Sequence, residues 1–131
     1  MEKLKICVVG AGRWGLNHIK TLFDLNVLVG CVDEESKKLK KIKSLFPKIN
    51  CFSNIEESFE ENFHGYIIAT PASSHANLAK LIISNNKPVL VEKPLSLSVS
   101  EYSFPSLSYF LSSPHTSTYT YSHIIEYNTL S

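Results

Sequence analysis

The sequence lacks the features that would direct a protein to a membrane or to a nucleic acid. No apolar run is long enough to cross a bilayer, and the N-terminus has no hydrophobic stretch of the kind found in a signal peptide. The 13 Lys and Arg residues nearly balance 12 Asp and Glu residues, so no overall field attracts an anionic partner. We therefore expect a cytoplasmic protein with a small-molecule substrate, and neither nucleic acid nor membrane as a partner.

Cysteine is scarce and poorly spaced for metal or redox chemistry. Cys7, Cys31 and Cys51 are an odd number, with neither a CxxC pair nor the spacing of a metal site. Each lies in an apolar, strand-like run, which favours buried and reduced thiols. The sequence therefore predicts no metal centre.

Short apolar runs alternate with segments of helical period up to about residue 96, the pattern of βαβ units. The runs are almost continuously apolar, as expected for parallel strands that are buried on both faces. We predict strands at 4–9, 27–32, 49–52, 66–69 and 89–91, and helices at about 12–25, 34–46, 54–62 and 73–86, the last capped by Ser73 or Ser74. Right-handed crossovers then give an α/β fold with a doubly wound, mostly parallel sheet.

A glycine-rich motif lies between the first strand and the first helix of this pattern. Residues 10–15 read Gly-Ala-Gly-Arg-Trp-Gly, which is a GxGxxG motif. The motif is informative here because a predicted strand precedes it and a predicted helix follows it. Gly10 permits a tight turn, Gly12 lets backbone N–H groups approach a pyrophosphate, and Gly15 allows close helix packing. The positive end of the helix dipole would also favour that anion. The motif predicts dinucleotide binding.

Asp33 ends the second predicted strand, 18 residues after Gly15. A carboxylate there can accept both ribose hydroxyls of adenosine and repels a 2′-phosphate, which favours NAD over NADP. Asp33 could instead, or in addition, be the N-cap of the next helix. Within the glycine loop, Arg13 could contact a phosphate and Trp14 could flank the cofactor. An exposed arginine and a partly buried tryptophan without any such role are equally ordinary.

Two further motifs extend this pattern to a known family. Together with Ala69-Thr70-Pro71-Ala72-Ser73-Ser74-His75 and Glu92-Lys93-Pro94, the residues above resemble the Gfo/Idh/MocA family of nicotinamide-dependent oxidoreductases, named for glucose-fructose oxidoreductase and inositol dehydrogenase. The resemblance covers residues 1 to about 101. Residues 12–18 look most like the branch that oxidises UDP-N-acetyl sugars. The resemblance implies a Rossmann NAD(P)-binding fold and a sugar or UDP-sugar dehydrogenase that transfers hydride from a substrate hydroxyl to NAD.

The resemblance also implies roles for residues at the nicotinamide end of the cofactor. It places Thr70, Pro71 and His75 around the nicotinamide half, and Glu92 and Lys93 beside the reacting carbon. Lys93 would be the catalytic residue, because alcohol oxidation needs a group that holds the hydroxyl and accepts its proton. The alternatives are a surface His75, a Glu92 that pairs with Lys93 or with the backbone, and a solvated Lys93.

The composition changes abruptly after Lys93. Residues 94–131 contain neither Lys nor Arg, whereas residues 101–131 contain eight serines and five tyrosines. We interpret residues 1–101 as the dinucleotide-binding domain and residues 102–131 as an atypical segment, frame-shifted or otherwise degenerate. The family's substrate domain is then absent, and an NAD-binding module without turnover is the alternative function. Family members form homo-oligomers largely through that domain, so a homo-oligomer remains an open expectation here.

Overall fold

Five short apolar segments pair into one parallel sheet. The structure is a computed structural model that describes residues 2–92. The strand order is β3-β2-β1-β4-β5, and all four pairings are parallel. The strands are β1 (Lys5–Val9), β2 (Leu28–Val32), β3 (Asn50–Phe52), β4 (Gly65–Ile68) and β5 (Val89–Val91). This order confirms the predicted doubly wound sheet, and each strand lies within about two residues of its predicted position.

Helices connect the successive strands within the described residues. They are α1 (Arg13–Asp24), α2 (Ser36–Leu45), α3 (Ile55–Phe59) and α4 (Ala72–Ser84). The side chain of Asn54 caps α3 by accepting a hydrogen bond from the N–H of Glu57 at 3.0 Å. The predicted cap of α4 is wrong, because α4 begins one residue after Pro71 and both candidate serines lie inside its first turn. The ring of Pro71 fixes a φ of −57° there, which suits entry into a helix.

Both faces of the sheet are covered, which explains the continuous apolar runs. On one face, Ile19 of α1 and Ile42 of α2 pack with Val8 and Cys31. On the other face, α3 and α4 pack against a second cluster that includes Cys7. None of the helices within residues 2–92 is both long enough and apolar enough to cross a bilayer.

The cysteines are packing residues in this sheet. Cys7 and Cys31 are completely buried, as expected, whereas Cys51 is only half-buried. Burial raises the pKa of Cys31 to about 12, with a smaller contribution from the nearby Cys51. Both buried thiols therefore stay protonated near neutral pH and are poor nucleophiles.

The carboxyl ends of the strands meet at one edge of the sheet. The chain leaves β1 towards β2, while β4 lies on the other side of β1, so the strand order reverses between β1 and β4. In open α/β sheets, ligands bind in the crevice outside the strand ends at such a switch point. The glycine loop, Asp33, Thr70 and Glu92 each directly follow one of these strands or lie within two residues of its end.

Candidate cofactor and active site

Gly10 makes the turn that leads out of β1. Its φ is +105°, and an added Cβ would lie 2.8 Å from the carbonyl oxygen of Ala69. Its N–H donates to the carbonyl of Val32 at 2.8 Å, so the turn is held between the ends of β2 and β4. Only glycine fits this position, because an L side chain would meet both an unfavourable φ and a backbone atom.

Gly15 brings α1 directly against this turn. A Cβ at Gly15 would overlap the carbonyl oxygen of Gly10 and contact Val8. This is the close packing expected for Gly15, although its main neighbour is the turn after β1 rather than the strand itself. The start of α1 is therefore fixed at the edge of the crevice.

No steric contact among the described residues requires glycine at position 12. An added Cβ would meet no atom within 4 Å, and the backbone angles of φ −76° and ψ −162° are accessible to other residues. Gly12 is the N-cap of α1 and offers no side chain to the N–H groups of the first turn. At α3, by contrast, the side chain of Asn54 fills this role. The start of α1 thus combines free space with backbone donors, which is the arrangement that binds a phosphate group.

The Asp33 carboxylate is held by two backbone donors. Its Oδ2 accepts from the N–H of Ala11 at 2.8 Å, and its Oδ1 accepts from the N–H of Glu35 at 2.8 Å. The N-cap of α2 is Glu35, so the alternative interpretation of Asp33 as that cap is wrong. Two carboxylate oxygens have about four acceptor sites, which leaves roughly two for ribose hydroxyls. The bond to Ala11 also places the carboxylate beside the glycine loop.

The turn after β4 is stabilised by its own side chains. Ser74 Oγ donates to the carbonyl of Pro71 at 2.8 Å and lies 2.6 Å from Thr70 Oγ1. Because Ser74 has one hydroxyl proton, Thr70 must be the donor in the second bond. The lone pairs of Thr70 Oγ1 are then not used by Ser74, so this oxygen can accept a hydrogen bond from a ligand.

His75 lies beneath this turn. The side chain is 1% exposed, so the alternative of a surface histidine is wrong. Its Nε2 lies 2.6 Å from the carbonyl oxygen of Thr70, and because a carbonyl only accepts, Nε2 carries the proton. From this position His75 would influence a cofactor by holding the Thr70 backbone.

Glu92 continues the ladder beyond β5 and pairs with a residue that the sequence did not single out. Its N–H donates to the carbonyl of Ile68 at 2.9 Å, and its Oε1 lies 2.5 Å from Nε2 of His18 on α1. The alternative from the sequence was a Glu92 carboxylate that pairs with Lys93 or with the backbone. Lys93, the predicted catalytic residue, lies outside the described residues.

Arg13 and Trp14 occupy the first turn of α1, and both side chains are exposed. The Trp14 side chain is 62% exposed, so the structure does not support the alternative of a partly buried tryptophan. A large apolar ring in water next to a ligand crevice is suited to cover part of a ligand. The roles of both residues in binding remain predictions.

Comparisons with known proteins agree with this geometry. The model of the Gfo/Idh/MocA family, described as an oxidoreductase family with an NAD-binding Rossmann fold, matches residues 4–103. The chain belongs to this family. The match confirms the family predicted from the sequence, and with it NAD as the cofactor of the matched domain.

Relatives of known activity within the Gfo/Idh/MocA family share only moderate identity with the chain. Inositol 2-dehydrogenase of Pseudarthrobacter chlorophenolicus is 28% identical over 99 residues. The alignment covers 72% of this chain and 29% of the relative. The chain thus spans less than a third of that enzyme's length.

Two solved structures from the comparisons show the same fold. GenD2 from gentamicin A biosynthesis, in complex with NAD, is 28% identical with a TM-score of 0.69, covering 77% of this chain and 30% of its own. The WlbA dehydrogenase from Bordetella pertussis, in complex with NADH and UDP-GlcNAcA, is 21% identical with a TM-score of 0.71. It covers 77% of this chain and 31% of its own. Both structures therefore share the α/β fold of this chain.

Proposed function

We propose that the carboxyl edge of this sheet binds NAD for a cytoplasmic dehydrogenase that oxidises a hydroxyl of a sugar, an inositol or a nucleotide sugar. The observation that carries the proposal is the free space beside Gly12 at an α1 N-terminus without a side-chain cap. The fixed carboxylate of Asp33 lies beside the same loop. The inositol 2-dehydrogenase relative and the WlbA complex with UDP-GlcNAcA support this range of substrates.

Each part of the cofactor has a candidate partner among the described residues. Asp33 would accept from the adenosine ribose, and the loop at Gly12 would receive the pyrophosphate. Thr70 and Glu92 follow β4 and β5, so they would face the nicotinamide half. Bound NAD would supply the hydride acceptor, and Lys93 would hold the substrate hydroxyl and accept its proton.

The cofactor site can be tested with the protein's own fluorescence. Trp14 is the only tryptophan of the chain, and the proposal places it next to NADH. Excitation of tryptophan in the 131-residue protein should therefore produce saturable NADH emission by energy transfer. Trp14→Phe should abolish the transfer while calorimetry still detects binding. Absence of saturable NADH binding by both methods would refute the proposal.

An NAD-binding module without turnover is the second candidate function. It rests on the glycine loop and Asp33, which would hold a cofactor whether or not a substrate is turned over. Steady-state assays of the wild-type chain with NAD and myo-inositol, or with a UDP-N-acetyl sugar, distinguish the two candidates. Turnover that Lys93→Ala removes without changing NADH affinity would support the dehydrogenase. NADH binding with no turnover on any of these substrates would support the module.

A further inference from the structure

A side-chain hydrogen bond connects α1 with the end of β5, two distant parts of the crevice. His18 lies in the second turn of α1, and Glu92 directly follows β5. Their Nε2 and Oε1 atoms are 2.5 Å apart, although the residues are 74 positions apart in sequence. Since α1 packs against β1 and β2, while β4 separates β1 from β5, the contact spans the switch point of the sheet.

The packing of both elements fixes the direction of these two side chains. Val89 and Val91 of β5 point into the core on the α4 side, whereas Leu90 points to the opposite face. Strand side chains alternate between faces, so Glu92 points to the same face as Leu90, where α1 lies. On α1, the neighbouring Ile19 is completely buried against the sheet, which fixes the rotation of the helix and directs His18 towards Glu92.

The contact restrains one oxygen of the carboxylate. An ionised carboxylate only accepts, so Nε2 of His18 is the donor and Oε1 of Glu92 the acceptor. Within the part of the chain that the structure describes, this is the only side-chain hydrogen bond of Glu92. Both side chains remain partly accessible, with 23% exposure for His18 and 29% for Glu92. The other oxygen, Oε2, has no side-chain partner among these described residues and would be open to a ligand at the end of β5.

We infer that His18 is a positioning residue that orients the Glu92 carboxylate towards the ribose hydroxyls of the nicotinamide half of NAD. The inference rests on the proposed function, because it requires the dinucleotide to extend from Asp33 past the start of α1 towards β5. A carboxylate held by one oxygen can accept a ribose hydroxyl with the other at a small cost in side-chain entropy. Without His18, the Glu92 side chain would have to be ordered when the ligand binds.

The test compares ligands with and without a nicotinamide half. In His18→Ala, the Kd for NADH should rise by up to about tenfold, because the Glu92 side chain then has to be ordered when the ligand binds. The Kd for ADP should change by less than about twofold, because that ligand lacks the second ribose. His18→Gln, which keeps a donor, should recover most of the NADH affinity. Asn17→Ala, an exposed neighbour on the same helix, should change neither value.

A double-variant cycle tests whether His18 acts through Glu92. Glu92→Gln should lose at least as much NADH affinity as His18→Ala, and the double variant should lose no more than Glu92→Gln alone. Additive losses, equal losses for NADH and ADP, or an unchanged NADH affinity in His18→Ala would each overturn the inference. If the wild type binds neither ligand, the proposed function itself fails. Thermal unfolding of each variant checks that the fold is retained.

Discussion

Replacing Gly12 by alanine should weaken NADH binding and leave the fold intact. The new Cβ meets no protein atom within 4 Å, and the backbone of Gly12 already has angles that alanine adopts. Alanine restricts the unfolded chain, which stabilises the protein by about 0.4–1 kcal/mol. It is also a poorer N-cap than glycine, by up to about 1 kcal/mol. The two effects oppose each other, so the melting temperature should stay within about 5 °C of the wild type.

The loss of binding should be much larger than the change in stability. A methyl group in the space beside Gly12 would keep a pyrophosphate away from the N–H groups at the start of α1. Losing one hydrogen bond to a charged group costs about 1.5–3 kcal/mol. The Kd for NADH should therefore rise roughly 10- to 150-fold.

Two other glycines provide the controls for this experiment. Gly65→Ala changes the amino end of β4, far from the carboxyl edge, where an added Cβ has ordinary contacts at 3.4 and 3.5 Å. It should leave the NADH affinity unchanged. Gly10→Ala combines a φ of +105° with a Cβ only 2.8 Å from a carbonyl oxygen, so it should destabilise the fold itself.

NADH titration by energy transfer and thermal unfolding by circular dichroism measure the two effects separately. Wild-type affinity in Gly12→Ala would show that no phosphate occupies the space beside Gly12, and the proposed cofactor position would be wrong. Unfolding of Gly12→Ala would instead contradict the steric description of the loop. A large loss of affinity in Gly65→Ala would mean that glycine substitutions affect binding indirectly.

Other variants test the site and the core. Asp33→Asn removes the charge that repels a 2′-phosphate, so the preference for NADH over NADPH should fall about tenfold in paired titrations, and an unchanged ratio would contradict this role. Asn54→Ala should lower the free energy of unfolding by about 1 kcal/mol in urea with unchanged NADH affinity, because it removes only the cap of α3. Burial raises the pKa of Cys31 from 9.0 to about 12, so the unfolded chain loses this proton first and stability falls as the pH rises above about 9. The free energy of unfolding in urea should be measured at about pH 8 and about pH 10. Its decrease between these two pH values should be about 1 kcal/mol smaller for Cys31→Ala than for the wild type. Equal decreases would show that this thiol does not titrate as described.

The fold could be predicted from the sequence because its signals are local. Strands buried on both faces appear as apolar runs, and the glycine motif marks where β1 ends and α1 begins. The start of α4 was predicted less well, because Pro71, Ser73 and Ser74 all favour a helix entry. Which of these residues begins the helix depends on where the chain leaves β4. The helix begins directly after Pro71, and the hydroxyl of Ser74 turns back to the carbonyl of Pro71 as a residue of the first turn.

The site was predictable only where its residues follow a local sequence pattern. Asp33 and the glycine loop follow a fixed spacing, so their proximity could be expected from strand order alone. The burial of His75 could not, because it depends on how α4 packs against the sheet. The contact between His18 and Glu92 depends on the rotation of α1 and on the face to which β5 directs its last residues. No spacing rule connects two residues that are 74 positions apart.

The described site contains two kinds of groups, and their difference bears on how a cofactor would bind. The carboxylates of Asp33 and Glu92 and the hydroxyl of Thr70 already make hydrogen bonds within the protein. The conformational entropy of these side chains is therefore lost during folding and not on ligand binding. The start of α1 at Gly12 is instead left without a side-chain cap. The proposed contacts to the two riboses would thus be preorganised, which would raise affinity by reducing the entropy lost on binding. The donors left for a ligand lie between them, where the doubly charged pyrophosphate would gain most from N–H groups and the helix dipole.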